Sequence, residues 1–271
     1  MLVSLVLTLE SETSVLLPGA LGRANYAALL ERLNLVDNGL GRHVHDGSDG
    51  PKPVTCSDVL GAQAVSGGKR IVAGEPYQVR VTGLDSRTSQ GLVAGFVEDP
   101  ISKWVVAGHR FRVTGVAFNA RSNVWSGQSS YAALAERLDA ENEGKDRRVT
   151  LELASPTSFQ SNGMQLPLPL PSLVFGSLVD RWNAFSPIPL QPEVRAFAEN
   201  MMGITQYQLE SAVTSTKNKG FRTGAVGTVL YTALGGSDYW LNAVQVLADF
   251  ALFSGVGVKT TEGMGQVRRV G

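Results

Sequence analysis

Cysteine is almost absent from this chain of 271 residues: Cys56 stands alone. A single cysteine excludes an intramolecular disulfide framework and the paired-cysteine zinc and redox motifs. An export leader is not expected either. Met1 to Leu9 is apolar but short, carries no basic residue, and soon meets Glu10 and Glu12. It reads as a strand and not a signal peptide, which makes the cytoplasm the expected compartment. No run approaches the roughly 18 apolar residues that a membrane helix needs, so no membrane partner is expected. Net charge is lacking too, with 24 basic residues against 24 acidic ones. A nucleic-acid binder usually shows a basic excess, and the even total speaks mildly against one.

The even total hides an uneven distribution. Between Pro100 and Ala135 there is no acid, while Lys103, Arg110, Arg112 and Arg121 all occur. Lys217, Lys219 and Arg222 form a second acid-free run, and Lys259, Arg268 and Arg269 lie at the C-terminus with only Glu262 nearby. Clustered cations can hold phosphates while acids elsewhere cancel the sum. The plainer alternative is that such runs are solvated faces.

Apolar residues make up 43% of the chain, enough for real cores, and the length suits two domains of ordinary size. One internal repeat supports two. Asn25–Asn34 reads NYAALLERLN and Ser130–Asp139 reads SYAALAERLD. Helical spacing puts Tyr26, Leu30 and Leu33 on one face of the first copy, and Tyr131, Ala135 and Leu138 on one face of the second. Each copy follows a strand-like segment, Leu2–Leu9 and Phe111–Phe118, and precedes another, Val54–Val59 and Arg148–Leu153. Two strand–helix–strand units at one offset suggest two copies of a small fold.

Further patterns complete each unit. Tyr77–Leu84 reads as a strand and Ser86–Val97 as a helix, and Trp104–Ala107 begins the crossing into the second unit. The LPLPLP of 166–171 is a rigid connector, because proline removes backbone donors. Leu173–Phe185 has helical periodicity. Ser237–Leu252 reads as a second helix with a cap-like Ser237-Asp238, and Val226–Thr232 and Gln266–Val270 read as strands. The order β-α-β-β-α-β, twice, predicts an α+β fold of tandem ferredoxin-like (RRM-like) domains, 1–104 and 105–271. Such sheets often bind RNA, though a fold alone does not establish function.

The last stretch before the C-terminal strand, GVGVKTTEGMG (255–265), is rich in glycine. It is neither a Walker loop, since no G-K-[ST] closes it, nor a dinucleotide fingerprint, since a helix precedes it and a strand follows. It is either a close-approach loop for a ligand or a tight helix-to-strand turn. Histidine is scarce, with three in all, yet two fall in GLGRHVHDGSDGPK (39–52) directly after the first helix. A glycine-rich polar segment predicts an exposed loop. An extended backbone would put His43 and His45 on the same side, where either could take or give a proton. H-x-H-D could also open a metal site, but only Cys56, His109 and carboxylates remain as further ligands, without diagnostic spacing. No metal or cofactor is expected. His109, in a strand-like segment beside Arg110, reads as structural or phosphate-contacting. G-x-S-x-G, C-x-x-C and H-E-x-x-H do not occur.

FSGVGVKTTEGMGQVRR (253–269) resembles the terminal glycine-rich loop of the RAMP superfamily of CRISPR-associated RNA-binding proteins. With Thr260-Thr261 before Gly263-Met264-Gly265, it is most similar to the repeat-RNA endoribonuclease branch. SPTSF (155–159) resembles a second family segment, and His45-Asp46, Lys52-Pro53-Val54-Thr55 and Ser57–Leu60 resemble the family's histidine loop and following strand. The resemblance implies tandem ferredoxin-like domains and metal-independent cleavage of CRISPR repeat RNA, with a 2′,3′-cyclic phosphate product. It implies His45 as the first catalytic candidate, His43 as partner or substitute, Lys52 as charge stabiliser, and a tyrosine from the first helix, which would be Tyr26. Tyr26 is also simply read as packing, since the repeat matches it with Tyr131. Gly255, Gly257, Lys259, Thr260, Gly263, Gly265, Arg268 and Arg269, with Lys217, Lys219 and Arg222, become the candidate RNA contacts. Effector-complex proteins and a second copy of the chain are the other partners considered. The rival readings are a non-catalytic RNA-binding subunit of the same superfamily, which would share the glycine loop, and an unrelated ferredoxin-like module.

Overall fold

Six consecutive buried residues, Leu2 to Leu7, open the chain and mark a strand covered on both faces. The computed structural model describes residues 1–45, 50–141, 146–215 and 220–271. It divides into two compact units. The first is Met1–Gln128 together with Thr214–Phe221 and Thr261–Gly263; the second is Ser129–Val213, Arg222–Thr260 and Met264–Gly271.

The elements of the first unit are β1 (Leu2–Glu10), α1 (Gly22–Val36), α2 (Leu40–His45), β2 (Val54–Cys56), β3 (Pro76–Gly83), α3 (Ser86–Val93), β4 (Lys103–Val106) and β5 (His109–Ala117). The sheet runs β2-β3-β1-β5-β4, all antiparallel, and the short strand Gly127–Ser129 also pairs with β1. β1, α1, β2, β3, α3 and β5 give the β-α-β-β-α-β order of a ferredoxin-like fold. Register explains the two faces. Leu5 faces Val81 and Leu7 faces Val79, and these join Leu29 and Leu33 of α1 and Leu92 of α3 in one core. On the other face Val6 pairs with Arg80. Arg80 is buried, and burial pushes its guanidinium down to about 9. Its Nε donates to Ser4 Oγ at 3.0 Å and to the Trp125 carbonyl at 3.1 Å, and the cation lies 5.4 Å from the Trp125 ring centre. A small accessory sheet of Val15–Leu17, Gly68–Ile71 and Gln63–Val65 completes the unit.

The second unit contains α4 (Tyr131–Ala135), β6 (Arg148–Thr157), α5 (Pro171–Phe185), α6 (Val194–Met201), β7 (Met202–Ser215), β8 (Phe221–Ala233), α7 (Asp238–Ser254) and β9 (Val267–Arg269). Its sheet order, β7-β8-β6-β9, repeats that of β2-β3-β1-β5. β6, α5, β7, β8, α7 and β9 form the second β-α-β-β-α-β set, so the tandem ferredoxin-like fold is correct.

The route to it through the decapeptide repeat is not. The first copy lies in α1, but the second precedes β6, the first strand of its sheet, and α5 holds the place corresponding to α1. The 111–118 segment pairs with β1 through β5, and Trp104–Ala107 contributes β4 of the same sheet instead of crossing to the second unit. The first unit therefore extends to Gln128 rather than ending at 104. Any helix with one buried face selects apolar residues at helical spacing, so a matched decapeptide reflects a shared packing demand, not a shared position. β7 escaped the sequence patterns altogether. Its side chains are mostly exposed, so backbone pairing defines it and no apolar alternation does.

Candidate active site

The site begins where α1 ends. Asp37 is extended, Gly39 takes φ +102°, and the chain turns directly into α2. Positive φ suits glycine, which has no Cβ to clash. α2 is held by Leu40 and Val44, both buried and one helical turn apart, and the Gly41 amide donates to Asn34 Oδ1 at 2.9 Å. The segment expected as an extended loop is thus helical through His45. Two residues along a helix turn the side chain through about 200°, so His43 and His45 do not share a side.

His43 Nε2 lies 2.7 Å from Asp85 Oδ2, at the start of α3. The His45 ring instead approaches Tyr26, with centroids 6.5 Å apart and planes at 36°. Lys52 Nζ donates to the His45 carbonyl at 2.7 Å. His45, Tyr26 and Lys52 are therefore brought together within the first unit, and His43 is directed elsewhere. Asp46 lies outside the described residues.

Tyr26 is not on the buried stripe of α1, which is Gly22, Asn25, Leu29 and Leu33. It flanks the stripe, half-buried, while Tyr131 of the second decapeptide is 4% exposed and packs between Trp182 and Phe250, at 4.9 and 5.7 Å. Both tyrosines pack, Tyr131 fully buried and Tyr26 half-buried against the edge of the first core. Among the described residues the Tyr26 hydroxyl is buried without a hydrogen-bond partner. Burial, then the charges of Cys56 and Glu262, push the phenol up to about 12. At neutral pH it is a proton donor and not a base.

Glu262 reaches this neighbourhood because Thr261–Gly263 belongs to the first unit. The Gly263 amide donates to the Cys56 carbonyl at 3.0 Å, and Ser57 bridges Gly263 in parallel. Gly22, at the start of α1, lies so near the Glu262 carbonyl that a Cβ there would fall 2.1 Å from its oxygen. Only a bare backbone fits at this crossing.

In the second unit the rest of the glycine-rich segment is a tightly bonded turn. Gly255, Gly257 and Gly265 all have positive φ, as does exposed Lys259 at +60°. The amides are committed internally: Val256 to Gly265 O, Gly257 to Ser177 Oγ, Val258 to Ser158 O and Gly265 to Pro156 O. Buried Arg181 spans the turn from beneath. It donates to Gly257 O at 2.7 Å, to Thr260 Oγ1 at 3.0 Å and to Ser254 O at 3.3 Å, and burial lowers its pKa to about 10 despite the Asp180 charge. Arg268 pairs with Glu152 at 2.6 Å and Arg269 with Asp249 at 3.2 Å. Arg222 is half-buried, and Lys217 and Lys219 lie outside the described residues. His109 makes contacts within the first unit, with Nε2 2.8 Å from Ser11 Oγ and its ring edge-on to Phe111. Among the described residues no three His, Cys, Asp or Glu side chains gather as a metal site.

The sequence patterns did not single out Asp85 and Glu262 in the first unit, or Arg181 in the second. Asp85 had a readable signal, an aspartate directly before a Ser-Arg-Thr helix start. Glu262 and Arg181 had none, because their roles depend on contacts distant in sequence.

Residues 151–267 match the family model for the CRISPR-associated endoribonuclease Cas6. That match takes in less than half of this chain. A curated family member from Mycobacterium tuberculosis, described as a CRISPR-associated endoribonuclease, is 30% identical over 174 residues; the match covers 62% of this chain and 52% of the relative, so the chain spans about half the length of the curated relatives it matches. A solved Thermus thermophilus Cas6 superposes with TM-score 0.73 at 25% identity, covering 100% of this chain and 98% of the other. A Cas6 product complex superposes at TM-score 0.78 over the full length of both chains. At 24% identity, that last likeness is one of fold.

Proposed function

We propose that this protein is a metal-independent endoribonuclease that cuts CRISPR precursor RNA within its repeats. The observation that carries the proposal is the placement of an exposed histidine, a protonated tyrosine and a lysine around the end of α2, in a chain whose residues 151–267 match the Cas6 family model. RNA supplies its own nucleophile. Loss of the 2′-OH proton lets that oxygen attack the adjacent phosphorus, the bond to the 5′-oxygen breaks, and the leaving oxygen takes a proton. The products are a 2′,3′-cyclic phosphate and a 5′-hydroxyl. This path needs proton transfer and charge stabilisation, without a protein nucleophile.

In this reading His45 transfers protons, Lys52 stabilises the phosphorane-like transition state, and Tyr26 donates a hydrogen bond. A buried hydroxyl left without a partner among the described residues is a group that a substrate oxygen would satisfy. The glycine-rich segment, with Gly255, Gly257, Lys259, Thr260, Gly263 and Gly265, is proposed to shape the RNA-binding surface, with Arg222, Lys217 and Lys219 as further phosphate contacts. Arg268 and Arg269 are already engaged by Glu152 and Asp249, so they support the turn and contribute less to phosphate binding. Repeat RNA is the partner proposed, in the cytoplasm. Delivery of product to effector-complex proteins and pairing with a second copy are further expectations of the family reading. No helix among the described residues is long and apolar enough to cross a membrane.

The test uses repeat RNA in excess EDTA. Cleavage should persist and leave a cyclic phosphate, and a single 2′-deoxy substitution at the scissile nucleotide should abolish it. Cleavage of the deoxy substrate would refute the mechanism.

A further inference from the structure

The two histidines of α2 have different partners, and the partner of His43 is shared. One Asp85 oxygen, Oδ1, accepts from the Thr88 amide at 2.6 Å and caps α3; the other, Oδ2, meets His43 Nε2 at 2.7 Å. The carboxylate thus joins the start of α3 to the face of α2 away from Tyr26. A second tie lies one residue back, where the Leu84 amide donates to the Pro53 carbonyl at 2.9 Å. Pro53 follows Lys52, whose Nζ holds the His45 carbonyl at 2.7 Å. A closed circuit results, running from His43 to Asp85, through Leu84 to Pro53 and Lys52, and back to His45. α2 has only six residues, so its orientation rests on these ties together with Leu40, Val44 and the bond from the Gly41 amide to Asn34 Oδ1.

We propose that His43 is a positioning residue and that its hydrogen bond to Asp85 sets the orientation of α2, and so where the His45 ring stands. The proposal rests on the endoribonuclease reading for its effect on rate, but the geometry it describes exists without RNA. It gives His43 the role of a hydrogen-bond donor and not of a proton carrier, which separates it from His45 by chemistry.

Two substitutions isolate the tie. Asp85→Ser keeps a side-chain oxygen to cap α3 but cannot reach His43, since serine is among the favoured capping residues. His43→Gln keeps an amide donor for Asp85 but cannot exchange protons near neutral pH. In single-turnover cleavage, His43→Ala and Asp85→Ser should each slow the reaction by about 10- to 100-fold, the scale of a misplaced reacting group. RNA affinity should hold. The His43→Ala/Asp85→Ser double variant should be no slower than the worse single one, because both remove one interaction. His43→Gln should recover to within about threefold of the wild type, a residue of less than one decade in rate. Gln at the rate of Ala would overturn the proposal, as would additive losses or wild-type rates throughout.

A second readout works without activity. In RNA-free full-length protein labelled at histidine with ¹³C, the His45 Cε1–H resonance should move in His43→Ala and Asp85→Ser and return in His43→Gln. An unmoved resonance overturns the positioning role. A wild-type protein that fails to cut repeat RNA defeats the functional reading alone, and the resonance still decides the geometry.

Discussion

The ring of His45 lies 6.5 Å from the ring of Tyr26, the planes inclined at 36°. The residues come from consecutive helices, and the turn between them is set by Gly39 at positive φ. The pair combines an exposed imidazole with a phenol that burial keeps protonated.

That protonation state gives the first prediction. Tyr26 titrates near 12, so it stays neutral throughout the working range. Tyr26→Phe should lower the cleavage rate by about 10-fold or more, towards the 10²–10³ typical of losing one donor to developing charge. The shape of the pH–rate profile between about pH 6 and 9 should not change, because no Tyr26 ionisation falls there. A limb of the profile that disappears in the variant would contradict the assignment.

Basic side chains near the C-terminus should divide by their exposure. Arg268 and Arg269 are engaged with Glu152 and Asp249, and Lys259 is exposed. Lys259→Ala should reduce the dependence of log affinity on log salt by roughly one phosphate contact. Arg268→Ala should leave the slope nearly unchanged and cost about 0–1 kcal/mol of stability, as expected for a partly exposed ion pair. Equal slope changes for both would place Arg268 on the RNA.

The glycine-rich turn should be sensitive where backbone meets backbone. Gly257 has φ +77°, and a Cβ there would fall 2.3 Å from Ser158 O; Gly74 has φ +80° with nothing within 4 Å. Gly74→Ala should cost about 1–2 kcal/mol, the strain of the left-handed region alone. Gly257→Ala should cost clearly more, measured by urea unfolding of both variants. Equal costs would mean that the turn has room to shift.

Arg181 should behave as the post beneath that turn. Its guanidinium satisfies Gly257 O, Thr260 Oγ1 and Ser254 O. Arg181→Gln should cost on the order of 3 kcal/mol, since several buried acceptors lose a charged donor together. Arg181→Lys should recover little, because one ammonium cannot reproduce the planar fork. Full recovery by lysine would show that charge and not geometry holds the turn.

Much of the fold was legible because the elements that matter most are amphipathic or fully apolar. β1 is an unbroken apolar run, α5 and α7 show helical spacing, and the glycine-rich segment stands out by composition. The domain boundary was not legible, because the sheet claims β4 and β5 by pairing with β1, which no local pattern reveals. α2 was misread as an extended loop because its sequence, LGRHVH, shows only Leu40 and Val44 as apolar anchors between two glycine-rich stretches. The misreading mattered, since it placed His43 beside His45. The nearness of Tyr26 to His45, to Cys56 and to Glu262 depends on tertiary contact and has no signature in sequence.

The central claim is that His45 carries proton transfer in RNA cleavage without metal. The most direct measurement is single-turnover cleavage of repeat RNA by His45→Ala in excess EDTA, with RNA affinity measured on the same protein. The rate should fall about 10²–10⁴-fold, the usual contribution of a general acid–base group, while affinity stays within about twofold. A His45→Ala protein that cleaves at the wild-type rate would contradict the claim.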